Sequence, residues 1–258
     1  MKKRTGTWIK YSIIILLLLY LTICFSVRLS VRETSWKAGE CMLYYIVNPD
    51  GMKGLGHSII MLVDEEGCGT VISYNGLQRS LTESLMGKSG VGKMSIGTMS
   101  ADETETFLQS GDLHLDGDQL TDNYDVALYR PITAAEYGAI LEQTEPYLAA
   151  QEQFAVLYEK WAMEENTSQK AKYEQELLRM GQGDDLPVYQ IYTNNCDHVA
   201  RLLISSIDTE LRDIMHHTWH ITPNGNIKAF GAKAQSWGIM MLGSQSLSER
   251  ILMFLMIF

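Results

Sequence analysis

The 258-residue sequence predicts an α+β domain in which an antiparallel sheet packs against a helix starting at Cys196. Three observations carry this. Short apolar runs at 41–47, 57–63 and 71–74 are parted by turn signals and follow one another closely enough to pair as hairpins. From Thr133 to Arg179 the text is helical, dominated by Ala, Glu, Gln, Leu and Lys. Between Tyr192 and Ala200 an extended segment passes into a helix: Asn194 and Asn195 are good N-caps, and Val199, Leu202, Leu203 and Ile207 recur at helical spacing.

In chain order, Lys2, Lys3, Arg4 and Lys10 precede the uncharged, mostly apolar residues 12–27, which Trp8, Ile9 and Tyr11 can extend. That pattern predicts an N-terminal transmembrane helix within residues 1–27, or a signal peptide. Cys24-Phe25-Ser26 offers a cleavage position, but leucines run close to it and no Ala-x-Ala is present, which favours an uncleaved single-pass anchor. The basic end would lie inside, with the domain at 28–258 outside the cell; cleavage would make the protein secreted.

The run at 41–47 reads as a strand closed by Asn48-Pro49-Asp50-Gly51, and Gly56 leads into the apolar strand that starts at His57. Asp64 to Gly69 connects it to Val71-Ile72-Ser73-Tyr74. Cys41 and Cys68, near the ends of these strands, are either a disulfide or two free thiols. Gly87-Lys88-Ser89-Gly90-Val91-Gly92-Lys93-Met94 resembles a phosphate-binding loop, but Met94 stands where Ser or Thr must ligate magnesium, so the segment reads as a flexible basic turn.

The strand at 124–130 is broken by Pro131. Thr133 and Glu136 then form a capping box that opens a helical excursion at about 132–182, with Pro146 at a break and Phe154, Leu157, Tyr158 and Trp161 as an apolar stripe. Residues 186–192 return as an extended segment. His216 and His220 could share a helix face as metal ligands, but the glutamate of zinc peptidases is missing and no third ligand is evident. The apolar tail 251–258 is too short to span a bilayer.

Charge excludes one class of partner. Residues 28–258 carry 17 basic against 31 acidic side chains, a net charge of −14, and such a surface repels phosphate backbones. Nucleic acid is therefore not expected, and no metal or cofactor is called for.

The chemistry is expected at Cys196. In the first turn of a helix, unpaired backbone N–H groups and the positive dipole end stabilise a thiolate, the reactive form of cysteine. The bland alternative is that Cys196 merely opens the buried stripe of its helix. A base decides between them. His198, two residues on, points to another side of the helix, whereas His57 at the start of a buried strand is free to come from a different element and complete a Cys-His pair.

The motifs Gly56-His57-Ser58, Val71-Ile72-Ser73-Tyr74-Asn75-Gly76 and Thr193-Asn194-Asn195-Cys196-Asp197-His198 resemble those of the circularly permuted papain-like (NlpC-like) cysteine hydrolases, a group that includes lecithin retinol acyltransferase-type enzymes. The order, histidine first and cysteine last, is the permuted one, and the resemblance covers roughly positions 40–230. It implies a permuted papain-like fold, Cys196 as nucleophile, His57 as base, and a polar residue on the next strand orienting the imidazole. Ser73 and Asn75 both fit that position, which departs from the usual histidine.

The expected function is a membrane-anchored, extracytoplasmic cysteine hydrolase cleaving amide or peptide bonds, with cell-wall peptides the natural substrate outside an anchored cell. A lipid acyltransferase or thioesterase of the same fold is the alternative, with acyl substrates. The missing histidine keeps open a non-catalytic, membrane-tethered binding protein, and His216 with His220 a zinc hydrolase.

Overall fold

Strand β2 (His57–Val63) lies at the centre of a seven-stranded antiparallel sheet, with three strands on either side. All seven of its residues are buried, as a strand covered on both faces must be. The computed structural model describes residues 11–22, 41–51, 56–77, 81–115, 120–180, 188–209 and 222–243. Within them the architecture is α+β.

On one side of β2 stand β1 (Cys41–Asn48), β7 (Val126–Ile132) and β9 (Gly238–Met241); on the other β3 (Gly69–Leu77), β4 (Gly90–Met99) and β8 (Val188–Tyr189). The β1–β2 and β2–β3 pairs are the expected antiparallel neighbours, with Tyr45 opposite Ile60 and Ile59 opposite Ser73. Strand β7 continues through Pro131, which pairs with Met42, instead of breaking there. Its outer neighbour β9 covers only Val126–Tyr129, so proline's missing N–H falls where no ladder bond is required.

Alternation along the strands sends two sets of side chains to opposite faces. Leu43, Tyr45, Ile60, Leu62, Ile72 and Tyr74 pack beneath helices α3 (Ala134–Glu142), α7 (Cys196–Ser205) and α8 (Pro223–Lys233), against Ile140, Val199, Leu203 and Ile227. Tyr44, Ile46, Ile59, Met61 and Val71 face Phe107 of α2 (Ala101–Ser110) and Leu113 of the separate β5–β6 hairpin (Asp112–Leu115, Leu120–Asn123). The capping box at Thr133 forms, Glu136 N–H donating to Thr133 Oγ1 at 3.2 Å and Thr133 N–H to Glu136 Oε2 at 2.8 Å. The helical excursion that follows continues as α4 (Glu145–Gln153), α5 (Ala155–Met163) and α6 (Thr167–Met180). Trp161 and Leu177 bury Val91, and Tyr158 donates to Gly92 O at 2.6 Å, so this layer covers the start of β4.

Two expectations are corrected, and one open alternative is decided. Residues 11–22 are helical. No helix of the described residues is long and apolar enough to cross a membrane. The transmembrane helix, and the anchored, extracytoplasmic localisation argued from it, therefore do not stand. The glycine-rich segment at 87–94 is no flexible turn: from Gly90 it is β4, which follows helix α1 (Leu81–Leu85). Cys41 and Cys68 are free thiols. Carried one residue past Val63, the registers place Asp64 between them, so they sit two strand spacings apart, about 9.6 Å, beyond the roughly 7 Å a disulfide can bridge.

The histidines at 216 and 220, the signal-cleavage region and the tail 251–258 lie outside the described residues. Among the described residues no three His, Cys, Asp or Glu side chains come together as a metal site.

Candidate active site

Asn195 is the N-cap of α7, its Oδ1 accepting from His198 N–H at 2.8 Å, and Cys196 is therefore the first helical residue. The helix places Cys196, Val199, Ala200, Leu203 and Ile204 on one buried face against β2 and β3. Burying Val199, Leu203 and Ile204 contributes about 1.5–3 kcal/mol each, which fixes the helix, and the thiol with it, on the sheet. The loop before it is equally determined: Asn194 N–H donates to Gln190 O at 2.9 Å and Asn195 Nδ2 to Ile191 O at 2.6 Å.

His57 reaches the same point from the centre of the sheet. Asn48 Oδ1 accepts from the N–H groups of Asp50 and Gly51, and Gly56 N–H closes the turn onto Gly51 O at 2.8 Å. Gly51 must be glycine, because a Cβ there would stand 2.8 Å from His57 N and 2.9 Å from its Cβ. The imidazole is 9% exposed and acts electrostatically on the thiol of Cys196, while its Nε2 lies 3.2 Å from Ser73 Oγ. Asn75 Nδ2 in turn donates to Ser73 Oγ at 3.0 Å. Both candidates for the orienting position are thus used, in series. Tyr74 lies on the opposite face, its hydroxyl bound to Val188 O at 2.7 Å.

The electrostatics favour a thiolate. Burial pushes the Cys196 thiol up, but the positive charge of His57, its hydrogen bond and the Ser58 backbone N–H outweigh burial and pull the thiol below its ordinary value; the Asp197 charge opposes them. At 3% exposure Cys196 is as buried as a structural cysteine would be. What separates it from one is this polar company, which an inert buried thiol does not collect.

Three neighbours were not legible as site residues. Tyr189 Oη lies 4.0 Å from Cys196 Sγ and also faces the Cys196 backbone N–H. Burial, with the charge of Cys196 next, holds this phenol far above the ordinary tyrosine value, so it remains a donor. Its ring stacks on Tyr74 with centroids 5.7 Å apart and covers Gly76, where a Cβ would come within 2.5 Å of the ring. Asp197, fully buried, is the second; the third is Asn226, which donates to it. The Nδ1 of His198 lies 3.4 Å from Arg201 Nη2.

A separate cavity of about 810 Å³ between α5 and α6, lined by Trp161, Met163, Lys170 and Glu174, shares no residue with this arrangement. No family model matches the chain, and comparisons with curated proteins and with solved structures found no match.

Proposed function

We propose that the protein is a cysteine-dependent hydrolase or acyl-transfer enzyme of the circularly permuted papain-like type, acting on amide, peptide or ester carbonyls. The observation that carries the reading is the series Cys196–His57–Ser73–Asn75, assembled from a helix start and two adjacent strands. His57 accepts the thiol proton and Cys196 Sγ attacks the carbonyl carbon. The oxyanion takes hydrogen bonds from the Cys196 backbone N–H and the Tyr189 hydroxyl, which contact each other in the resting site and turn to the substrate oxygen. His57 returns the proton to the leaving amine or alcohol, leaving an acyl group on Sγ. A water, deprotonated by His57, then releases the acid and restores the thiol; an amine in its place completes acyl transfer. Throughout, Ser73 accepts from the protonated imidazole, and Asn75 holds the Ser73 hydroxyl in place.

The choice of cell-wall material as substrate leaned on the family resemblance and on an extracytoplasmic placement, and only the resemblance now supports it. Acyl substrates gain one observation: Leu85, Met86 and Tyr192 are 47%, 73% and 41% exposed. Tyr192 belongs to the loop leading into Cys196, and its hydroxyl donates to Leu85 O at 2.8 Å, while Gln190 Nε2 donates to Gly87 O at 3.4 Å. These bonds set an apolar rim beside the Cys196 loop, suited to an aliphatic acyl chain.

The test pairs p-nitrophenyl butyrate with a peptide p-nitroanilide, acid quenching and peptide mass analysis. An acyl increment on Cys196 during turnover is expected. Turnover of both substrates unchanged in Cys196→Ala would remove the reading.

A further inference from the structure

The helix-start role that an acidic residue usually fills is not what Asp197 does. Asn195 already caps α7, and Asp197 is fully buried where a first-turn carboxylate is ordinarily solvated. A buried charge persists only where partners replace its lost hydration. Tyr45 of β1 donates its O–H to Asp197 Oδ1 at 2.5 Å, Asn226 of α8 donates Nδ2–H to Oδ2, and Arg201 Nε lies 3.4 Å from Oδ2 one turn along. Burial nonetheless dominates and raises this carboxyl.

The same helix α8 reaches the other half of the site. Asn224 Nδ2 donates to Pro49 O at 3.0 Å, in the turn that leads to His57. Pro223 and Asn224 also back directly onto Gly56, whose φ of +89° and want of space both require glycine.

We propose that Asp197 is a positioning residue for the Cys196–His57 pair. Through Asn226 it ties the first turn of α7 to the helix whose Asn224 holds the turn before His57; through Tyr45 it ties that turn to β1, the strand paired with the His57 strand. The inference rests on the reading of Cys196 as nucleophile. Its consequence is geometric: without the tie, sulfur drifts from the imidazole and from the Ser58 N–H, and small displacements of a reacting group are costly.

Tyr45→Phe and Asn226→Ala each cut one tie while leaving the Asp197 carboxyl in place. The readouts are the pH midpoint of Cys196 alkylation by iodoacetamide, followed at that cysteine by mass spectrometry, kcat and KM for p-nitrophenyl butyrate, and Tm. In the unaltered protein the midpoint is expected below the ordinary thiol value of 9.0. In each variant it should rise by about one pH unit, with kcat about tenfold lower and KM within about twofold, because geometry is lost and substrate contacts are not. A lower Tm with unmoved midpoint and kcat would reduce Asp197 to a structural residue and overturn the proposal. A midpoint at or above 9.0 in the unaltered protein overturns the catalytic reading, and this inference with it. Should Asn226→Ala not fold, Tyr45→Phe, which keeps the ring and its packing, decides alone.

Discussion

Ser73 Oγ stands 3.2 Å from His57 Nε2 while accepting from Asn75 Nδ2 at 3.0 Å, so two polar residues of one strand face hold the imidazole in relay. If Asn75 acts only through Ser73, their substitutions are not additive. Ser73→Ala should lower kcat about tenfold, the worth of one hydrogen bond to a group that becomes charged. Asn75→Ala should cost less, and the double variant should match Ser73→Ala. Steady-state kinetics on the four proteins checks this, and independent, multiplying losses would contradict it.

For the pair itself, Cys196→Ala, His57→Ala and the double variant should fall to one common floor, as members of a catalytic unit do. Loss of the base alone should cost about 10²–10⁴-fold. His198→Ala, which removes a side chain directed at Arg201, should leave kcat within about twofold, the scatter of a surface change. Parallel melting curves separate these losses from unfolding.

Tyr189→Phe removes the phenol and keeps the ring that stacks on Tyr74 and covers Gly76. Losing one oxyanion donor should lower kcat by about 10²–10³-fold with little change in KM. A change confined to KM would place Tyr189 in substrate binding instead.

Asp197 makes a prediction about stability as a function of pH. Burial raises its folded carboxyl above the ordinary 3.8, so between those two values the native state holds more protons than the unfolded chain. The contribution of the protonated group is fully present below 3.8 and is lost as pH rises through the raised value. Relative to Asp197→Asn, the unaltered protein should therefore lose ground as pH rises from about 4 toward neutrality. Urea midpoints of both proteins across that range test it; a gap that grows in favour of Asp197 with rising pH would contradict it.

The hairpins, the Thr133 capping box and the helix start at Cys196 were legible because each rests on local chemistry: apolar runs between turn residues, a Ser/Thr-to-Glu spacing, an asparagine cap. Ser73 and Asn75 were likewise legible as the two candidates for the orienting position. Strand β4 was not legible, because Gly90, Gly92 and Gly97 look like a loop until Tyr74 and Leu115 are found filling the space beside Gly92 and Gly97. Pro131 misled because only the register of β9 shows that its missing N–H is not needed. Tyr189, Asp197 and Asn226 carry no motif; each gains its place through contacts between distant parts of the chain, Tyr45 and Asp197 being 152 residues apart. The apolar N-terminal run misled differently: hydropathy reports composition, while no helix of the described residues is long and apolar enough to cross a membrane.

The measurement that bears most directly on the central claim is the pH dependence of Cys196 alkylation in the unaltered protein and in His57→Ala. If His57 holds the thiol as a thiolate, the midpoint lies below 9.0 in the former and climbs to or above 9.0 in the latter, where burial acts without its chief opponent. A midpoint at or above 9.0 in both proteins, unmoved by loss of the imidazole, would show a structural cysteine and contradict the account.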